Sequence, residues 1–562
     1  MAENFFLDTP ELSFRLGQTD LAEAVRLREA GFTQRDRFPE APGSYEEALG
    51  LYEAVLAMVG ELCARKIAPR ARSVDREGVR FEDGRVCYAE GTRQSLEELR
   101  QAGLMGVTLP RRYGGLNFPN TVYSMMMEMV ARADASLHNL VGLQEIGETI
   151  LRFGSDDQRE RYLPPLASGE ADGAMALTEP DAGSDLQAVR TRARQDPATG
   201  QWRLNGTKQF ITNGCARIIL VLARSEEGTR DGRGLSMFVC EAGPRVRVRR
   251  IEEKLGLHGS PTCEIEFDDA PAELVGARRR GLTRYVMSLM NGARVGVSAQ
   301  AVGIAEAAYR SAREYAANRR QFGRAIEEFP AVYEMLVRSR VKLAGARALL
   351  YETTRYVDLR DGCERSGDPA GAKRWDRIAS VLTPLTKAYS TEVANEVAYD
   401  SLQIHGGSGY MKDYEVERHC RDARVTNIYE GTTQLQYVAA MGGVMNRVLD
   451  PLVDRLAALP YQGRARDLAE ALGRARENLA RAVIYVAERR ESDYQDLMAR
   501  RLCHSETLVL TGYLLLRDLL ADPGREALAE RFVADAVPQV EMDTAAVCSG
   551  DRSLIDRRAE VV

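Results

Sequence analysis

Arg421-Asp-Ala-Arg-Val-Thr-Asn-Ile-Tyr-Glu-Gly-Thr-Thr-Gln434 is the most informative stretch of the sequence, and Gln403-Ile-His-Gly-Gly-Ser-Gly-Tyr410 lies shortly before it. A long helical pattern stops at the glycines of the earlier stretch, which suit a helix end. We expect a loop after them, and then a new helix that starts at Thr432 or Thr433, whose hydroxyl can accept from the first free amides. Glu430 lies just before that start, beside a glycine that lets a second molecule approach. A capping acid is the simplest explanation of a lone glutamate there, so the rest of the chain must decide its role.

Composition is typical of a multidomain protein of the reducing cell interior. The 562 residues are enough for several domains, and 76 basic against 82 acidic residues give no support to a nucleic-acid role. Nine cysteines without paired spacing favour free thiols over a disulfide scaffold or a zinc site. The first residues lack a basic region followed by an apolar run, and no apolar stretch is long enough to span a membrane. We therefore expect a cytoplasmic protein without a membrane span or a bound metal.

Hydrophobic periodicity divides the chain into five segments. Apolar residues recur in steps of three and four over most of the chain, and a period of two replaces this spacing in the middle. The pattern predicts an α+β multidomain protein. The expected segments are an N-terminal docking segment (1–44), an α-helical domain (45–170), a β domain (171–281), a second helical domain (282–449) and a helical C-terminal extension (450–562).

The middle segment has the clearest local signals. Asn205-Gly206 separates two strand-like runs, at 201–204 and 207–212, and predicts a two-residue hairpin turn between them. Further short runs of apolar and β-branched residues predict strands at 218–223, 235–240, 246–251 and 263–267. Short strands joined by turns indicate a β-barrel or a sandwich.

Three further stretches combine turn chemistry with polar groups that could bind a ligand. Ala176-Leu-Thr-Glu-Pro-Asp-Ala-Gly-Ser-Asp185 has the composition of an ordinary loop, but it also offers the hydroxyls of Thr178 and Ser184. Lys208-Gln-Phe-Ile-Thr-Asn-Gly214 follows within the β segment. Arg319-Arg-Gln-Phe-Gly323 ends a long helix, and its guanidinium groups suit phosphate oxygens, although paired arginines are usually solvated. A dinucleotide would bind without a Rossmann fold, because the Gly-x-Gly-x-x-Gly motif is missing.

Together with the opening stretch, these motifs resemble the acyl-CoA dehydrogenase family, in the family's order and over residues 45–448. The resemblance implies an N-terminal helical domain, a middle β-barrel domain and a C-terminal four-helix bundle, with FAD as the cofactor. Residues 1–44 and 451–562 exceed a minimal member, so the longer, C-terminally extended members are the nearer comparison.

The resemblance also implies roles for individual residues. Glu430 matches the base that removes the α-proton of an acyl-CoA thioester. The implied cofactor-binding residues are Leu177, Thr178, Ser184, Phe210, Thr212, Arg319, Phe322, Gln403, Gly407, Thr432 and Gln434. The implied substrate-binding residues are Ser184, Arg294, Tyr429 and Gly431.

Family members oxidise an acyl-CoA to the trans-2-enoyl-CoA, with hydride transfer to flavin N5 and electrons passed to an electron-transfer flavoprotein. By resemblance, Phe210 stacks on the flavin and Thr212 hydrogen-bonds N5. Some members carry the base on a long helix, directly before an arginine that matches Arg294. Ala293 precedes it here, which favours Glu430. Exclusion of water raises the pKa of such a base and a helix start lowers it, so the sequence leaves the balance open.

Partners and alternatives follow from the same resemblance. Arg319 matches an arginine that reaches the FAD pyrophosphate of a neighbouring subunit, so we expect a homodimer, with a homotetramer as the alternative. Alternative functions on this fold are an acyl-CoA oxidase, an enoyl-CoA reductase and a DNA-associated alkylation-response flavoprotein. The last would need a basic extension, whereas residues 451–562 contain 16 arginines, no lysine and 19 acidic residues, net −3. Flavin monooxygenases and nitroalkane oxidases lack the base or use Asp, so Glu430 argues against both. The acyl group is left open.

Overall fold

The computed structural model describes residues 3–562, which divide into two compact units. The first unit contains the chain up to Pro10 together with Arg28–Gly296, and the second contains Glu11–Leu27 together with Val297–Val562. Over the described residues, none of the helices has the length and apolar character needed to cross a bilayer. Nor do three His, Cys, Asp or Glu side chains of residues 3–562 form a group that could hold a metal ion.

Helices make up most of the first unit before the sheet begins. Ser44 caps the first long helix, since its Oγ accepts the Glu47 amide at 3.2 Å. Ser155 and Gln158 form a capping box at the start of the last one. In chain order α1 (Pro10–Gln18) and α2 (Ala22–Arg28) come first, and apart from Pro10 and Arg28 they belong to the second unit. The helices and the hairpin of the first unit are α3 (Tyr45–Leu62), α4 (Ala68–Glu77), β1 (Arg80–Glu82) with β2 (Arg85–Cys87), α5 (Glu90–Gln101), α6 (Asn120–Ala133), α7 (Ala135–Gly142), α8 (Ile146–Phe153) and α9 (Asp156–Ser168).

A seven-stranded sheet forms the rest of the first unit. The pairing order is β3-β6-β4-β5-β9-β7, and β6 also pairs with β7, which closes the order into a barrel-like ring. This confirms the predicted β-barrel domain. Its core is apolar and includes Trp202, Phe238 and Phe267. The strands are β3 (Gly173–Ala176), β4 (Arg192–Gln195), β5 (Trp202–Thr212), β6 (Ile218–Arg224), β7 (Leu235–Glu241), β8 (Val246–Ile251) and β9 (Thr262–Val275).

The hairpin predicted at Asn205-Gly206 is wrong, because β5 runs through this pair without turning. The register between β5 and β9 shifts at Leu204/Asn205, so the pair marks a β-bulge. Glycine is needed here because a Cβ atom on Gly206 would lie 2.6 Å from Thr191 Oγ1, and because its φ is +149°. The Asn-Gly signal therefore reported a close approach of backbone rather than a chain reversal.

Long helices form the second unit. Ala312 and Ala316 of α10 pack with Ile404 of α12 and with side chains at the start of α11, as the predicted helical bundle requires. The elements are α10 (Met287–Asn318), the hairpin β10 (Arg320–Gln321) and β11 (Arg324–Ala325), α11 (Pro330–Arg365), α12 (Pro369–His405), α13 (Val416–Thr426) and α14 (Thr433–Met445). The loop expected between α12 and α14 is wrong in part, because α13 occupies much of it. An i, i+4 ion pair between Glu417 and Arg421 stabilises α13.

The C-terminal extension is helical, as predicted, and it packs on the bundle. Helix α17 contacts α11, α12 and α14. Buried ion pairs join the extension to residues near the start of the chain. Arg15 lies 2.6 Å from Asp518, and Glu11 lies 2.9 Å from Arg525. The helices are α15 (Asp450–Ala457), α16 (Gly463–Arg489), α17 (Ser492–Ala521), α18 (Glu526–Cys548), α19 (Ser553–Asp556) and α20 (Arg558–Val561).

Candidate active site

The loop that carries Glu430 lies between α13 and α14. Helix α12 ends at His405, followed by Gly406 at φ +58°, as the glycine pattern predicted. Helix α14 begins at Thr433, and the Thr432 Oγ1 accepts the Leu435 amide at 3.4 Å. The predicted threonine cap is therefore confirmed, and the glutamate before it is not the capping side chain of this helix.

Glu430 and Gly431 both have left-handed backbone conformations. Their φ angles are +53° and +88°, and only the glycine adopts this region without strain. For a non-glycine residue the conformation costs about 1–2 kcal/mol. Gln436 of α14 donates to the carbonyls of both residues, at 3.2 and 2.8 Å, and Lys387 of α12 donates to the Gly431 carbonyl at 2.7 Å. The strained residue is thus fixed by donors from two helices.

Glu392, one turn beyond Lys387 on α12, joins the two ends of the same loop. Its Oε1 accepts the Asn427 side-chain amide at 3.2 Å and the Thr433 hydroxyl at 2.7 Å. The Thr433 amide also donates to the Asn427 carbonyl at 3.1 Å. The hydroxyl of Tyr429, a predicted substrate-binding residue, donates to the Gln300 side chain of α10. The loop between α13 and α14 (residues 427–432) is called the base loop, because Glu430 is the predicted base. It is closed by hydrogen bonds and is not a free connection.

The predicted flavin segments of the first unit lie side by side. The Gln209 amide donates to the Thr178 carbonyl at 3.0 Å, which brings the two motifs together. A second register shift between β5 and β9 lies between Lys208 and Ile211, and it makes a bulge that contains Phe210. Phe210 there has φ +61° and remains 56% exposed, which is unusual for an aromatic side chain in a strand. The bulge presents a flat apolar ring at the protein surface.

A buried ion pair between Lys208 and Glu179 holds the segment 176–185 in place. Lys208 is fully buried, and its Nζ lies 2.8 Å from the Leu177 carbonyl and 2.9 Å from Glu179 Oε1. Glu179 also accepts the amides of Arg190 and Thr191, at 2.6 and 2.9 Å. Burial lowers the pKa of Lys208 to about 8, although the Glu179 charge opposes this shift. Burial raises the pKa of Glu179, but Lys208 and the Thr191 hydrogen bond lower it overall.

The remaining predicted residues of the first unit differ in exposure. Ser184 is exposed and Thr212 is half-buried. Arg294 on α10 is buried, and its Nη1 donates to Asn291 at 3.1 Å. The neighbouring residue is Ala293, which cannot act as a base. The structure therefore offers no acid at the alternative position on this helix.

The predicted pyrophosphate segments lie at one end of the second unit. Near the end of α10, the Tyr315 ring stacks on His405 of α12 with centroids 4.3 Å apart, and its hydroxyl donates to Ser408 at 3.4 Å. Gln403 and Gly407 are exposed at this end of α12. A Cβ atom on Gly407 would meet no atom within 4 Å, so open space lies in front of it.

The hairpin β10–β11 extends from the same end of α10. Its turn holds Phe322 and Gly323 at φ +51° and +82°, and the Phe322 side chain is 93% exposed. Arg319, just before the hairpin, is also exposed. Thr432 in the base loop is half-buried, and Gln434 in the first turn of α14 is exposed. All predicted residues of the second unit therefore lie on the base loop, in the first turn of α14 or at this end of the bundle.

Three family profiles match the chain in order. They are the acyl-CoA dehydrogenase N-terminal domain over residues 52–170, the middle domain over 174–270 and the C-terminal domain over 280–443. The chain belongs to the acyl-CoA dehydrogenase family. It is 38% identical over 426 residues to the 3-methylmercaptopropionyl-CoA dehydrogenase of Ruegeria pomeroyi, with 71% of each protein covered. It is 36% identical over 389 residues to an acyl-CoA dehydrogenase of Bacillus subtilis, covering 67% of this chain and 94% of that protein.

A solved acyl-CoA dehydrogenase from Bacillus anthracis, complexed with FAD, has the same fold over 88% of each chain. The TM-score is 0.78 at 22% identity, and the match covers more of the chain than the three family profiles do. Acyl-CoA dehydrogenases are flavoprotein oxidoreductases, and the cofactor is FAD. The chain fits such a group, because it offers an exposed aromatic ring at Phe210, exposed hydroxyls and guanidinium groups, and open space at Gly407.

Several residues of this acyl-CoA dehydrogenase site were missed by sequence reasoning. Lys387, Glu392 and Gln436 hold the base loop, and Glu179 and Lys208 hold the flavin segment. A weak signal existed at Lys387, since a lysine within a largely apolar stretch must find partners once it is buried. Leu177 lies 31 residues from Lys208 in the sequence, and Gly431 lies 44 residues from Lys387. Local patterns do not identify contacts over such separations.

Proposed function

We propose that this protein oxidises an acyl-CoA thioester to the trans-2-enoyl-CoA, with Glu430 as the base. The observation that carries the proposal is the backbone of Glu430, which is left-handed, with its carbonyl held by Gln436 and the next carbonyl held by Lys387. Strain of this kind is retained where the position of a side chain matters. Because Thr432 caps the following helix, the glutamate is not needed as its capping residue.

The residues of the chain divide the chemistry between them. Bound FAD would supply the acceptor for the β-hydrogen, which leaves as a hydride. The Glu430 carboxylate takes the α-proton, and its backbone N–H is suited to donate to the thioester oxygen, where negative charge develops. Phe210 offers a stacking surface for the flavin, and the Thr212 hydroxyl a hydrogen bond to its edge. Ser184, Arg294, Tyr429 and Gly431 are the residues we assign to substrate binding.

The remaining cofactor contacts extend this assignment. We assign Leu177, Thr178 and Ser184 to flavin contacts, and Thr432 and Gln434 to further contacts with the cofactor. We assign Arg319, Phe322, Gln403 and Gly407 to the pyrophosphate region, where guanidinium and amide groups suit phosphate oxygens.

We also propose that a second copy of the chain covers the exposed end of the second unit. Large apolar side chains are exposed there, and a monomer rarely leaves such a surface open. They are Phe322, Tyr333, Val337, Tyr399, Tyr410, Met411 and Tyr414. A homodimer formed on this surface would bury the hairpin that follows Arg319.

The proposed electron acceptor is an electron-transfer flavoprotein. The relationship to a 3-methylmercaptopropionyl-CoA dehydrogenase supports including thioether acids among the acyl groups to be tested.

The test is an anaerobic titration of the yellow holoenzyme with a panel of acyl-CoAs, during which the flavin absorbance is recorded. The panel contains straight-chain, branched, aromatic, dicarboxylic and thioether acyl groups. We expect bleaching by one class, and loss of bleaching in Glu430→Gln with FAD and ligand binding retained. Bleaching by no thioester would refute the proposed function, and rapid peroxide formation from oxygen after bleaching would favour the oxidase instead.

A further inference from the structure

Lys387 is a fully buried lysine near the middle of α12. Its Nζ donates to the Gly431 carbonyl at 2.7 Å, and Gly431 directly follows the base. An ammonium group removed from water needs strong compensating contacts, and a buried lysine is therefore retained only where its position is used. Here one of its contacts is the backbone of the base loop.

Two side chains hold the carbonyls of Glu430 and Gly431. Gln436 Nε2 donates to the Glu430 carbonyl at 3.2 Å and to the Gly431 carbonyl at 2.8 Å. The Gly431 carbonyl thus accepts from an amide and from an ammonium, and hydrogen bonds from a charged donor are about twice as strong as neutral ones. Two consecutive carbonyls are held, so neither peptide plane can rotate without breaking a bond.

This arrangement explains how the left-handed backbone of Glu430 is maintained. Relief of the strain, about 1–2 kcal/mol, requires φ of Glu430 to become negative. Rotation about this N–Cα bond turns the Glu430 carbonyl and the chain that follows it, so the two held carbonyls oppose it. That rotation would also move the carboxylate, since the direction of the side chain depends on the same backbone angles. Proton transfer requires the base within hydrogen-bond reach of the proton, and a misplacement of about 1 Å can lower a rate about 100-fold.

We propose that Lys387 is a positioning residue for proton abstraction: its ammonium group, bonded to the Gly431 carbonyl, keeps Glu430 in its reactive backbone conformation. The inference rests on the proposed function of Glu430. Lys387 itself touches neither substrate nor flavin in this role, so its loss should slow the chemical step while leaving ligand binding nearly unchanged.

The test compares Lys387→Met, which keeps the length of the side chain, with Lys387→Arg, which keeps a cationic donor. Gln436→Leu removes the other donor and provides a second variant if Lys387→Met does not fold. Lys342→Met is the control, because Lys342 is a surface lysine of α11 paired with Glu396. Each holoenzyme is examined by stopped-flow flavin reduction with the best acyl-CoA of the panel, and by amide hydrogen exchange of the peptide 427–436 without substrate.

In Lys387→Met we expect flavin reduction about 10- to 100-fold slower, with the acyl-CoA Kd changed less than about 3-fold. Amide exchange across 427–436 should rise in Lys387→Met and Gln436→Leu, remain at the wild-type level in Lys342→Met, and return towards it in Lys387→Arg. A wild-type reduction rate in Lys387→Met, or unchanged exchange in both donor variants, would overturn the inference. If no acyl-CoA reduces the wild-type enzyme while exchange rises as expected, the anchoring of the loop stands and the proposed function fails.

Discussion

Replacing Lys208 with methionine should destabilise the middle domain and weaken FAD binding at the same time. The substitution removes two hydrogen bonds, to the Leu177 carbonyl at 2.8 Å and to Glu179 at 2.9 Å, and leaves the buried carboxylate without its cation. Breaking a buried pair costs about 3–5 kcal/mol. Glu179 keeps the amide donors of Arg190 and Thr191, so we expect the lower end of this range, about 3 kcal/mol.

The loss can be measured by thermal unfolding and by FAD titration of the apoprotein. A destabilisation of about 3 kcal/mol corresponds to a fall in Tm of about 6–12 °C for a domain of 150–250 residues. FAD affinity should fall as well, because Thr178 and Ser184 lie on the segment that Lys208 and Glu179 hold. Lys373→Met, at an exposed lysine of α12, serves as the control and should change neither quantity.

A double-mutant cycle makes the reasoning refutable. Glu179→Gln leaves Lys208 buried without its carboxylate, so this single variant should also be destabilised. In the double variant Glu179→Gln/Lys208→Met no uncompensated charge remains, and we expect it to be more stable than the sum of the single effects predicts, by about 2 kcal/mol. Strictly additive losses would mean that the two side chains do not act as a pair.

Three further substitutions test other parts of the structure. Burial and the nearby Asp450 raise the pKa of Glu506 to about 7, despite two arginines that lower it. The stability that this group contributes is therefore fully present below its unfolded pKa and is lost as pH rises through 7. Glu506→Gln should have a higher Tm than wild type at pH 8 and a similar Tm at pH 5. Gly206→Ala should destabilise the middle domain by about 1–3 kcal/mol in denaturant unfolding, since its Cβ would lie 2.6 Å from Thr191 Oγ1, and a neutral result would contradict the bulge. Phe322→Asp should shift the mass measured by light scattering from dimer to monomer, and an unchanged mass would place the subunit contact elsewhere.

Much of the fold could be predicted because its signals are local. The change from helical to strand periodicity indicated a helical, a β and a second helical domain, and the glycines after His405 and the threonine cap of α14 indicated helix boundaries that the structure confirms. Motif order was sufficient to recognise the family. The predicted segment boundaries, the roles of the individual site residues, the cytoplasmic location and the electron acceptor stay predictions.

The errors and omissions arise from contacts between distant parts of the chain. Asn205-Gly206 has the composition of a hairpin turn, and only the approach of Thr191 explains why the glycine lies in a bulge instead. Helix α13 has only 11 residues and a short apolar pattern, so its sequence did not predict it. A helix of this length depends on tertiary packing, which α12 provides here. Lys387 and Gly431 are 44 residues apart, and nothing in either local sequence indicates their hydrogen bond.

The most direct test of the central claim is exchange of the α-hydrogens of a bound acyl-CoA with solvent deuterium. The purified holoenzyme is incubated anaerobically in D₂O with the thioester that bleaches its flavin, and deuterium at C2 is followed by NMR. We predict exchange in the wild-type enzyme and its loss in Glu430→Gln, with FAD content and ligand affinity retained. Exchange at the wild-type rate in Glu430→Gln would contradict the assignment of Glu430 as the base.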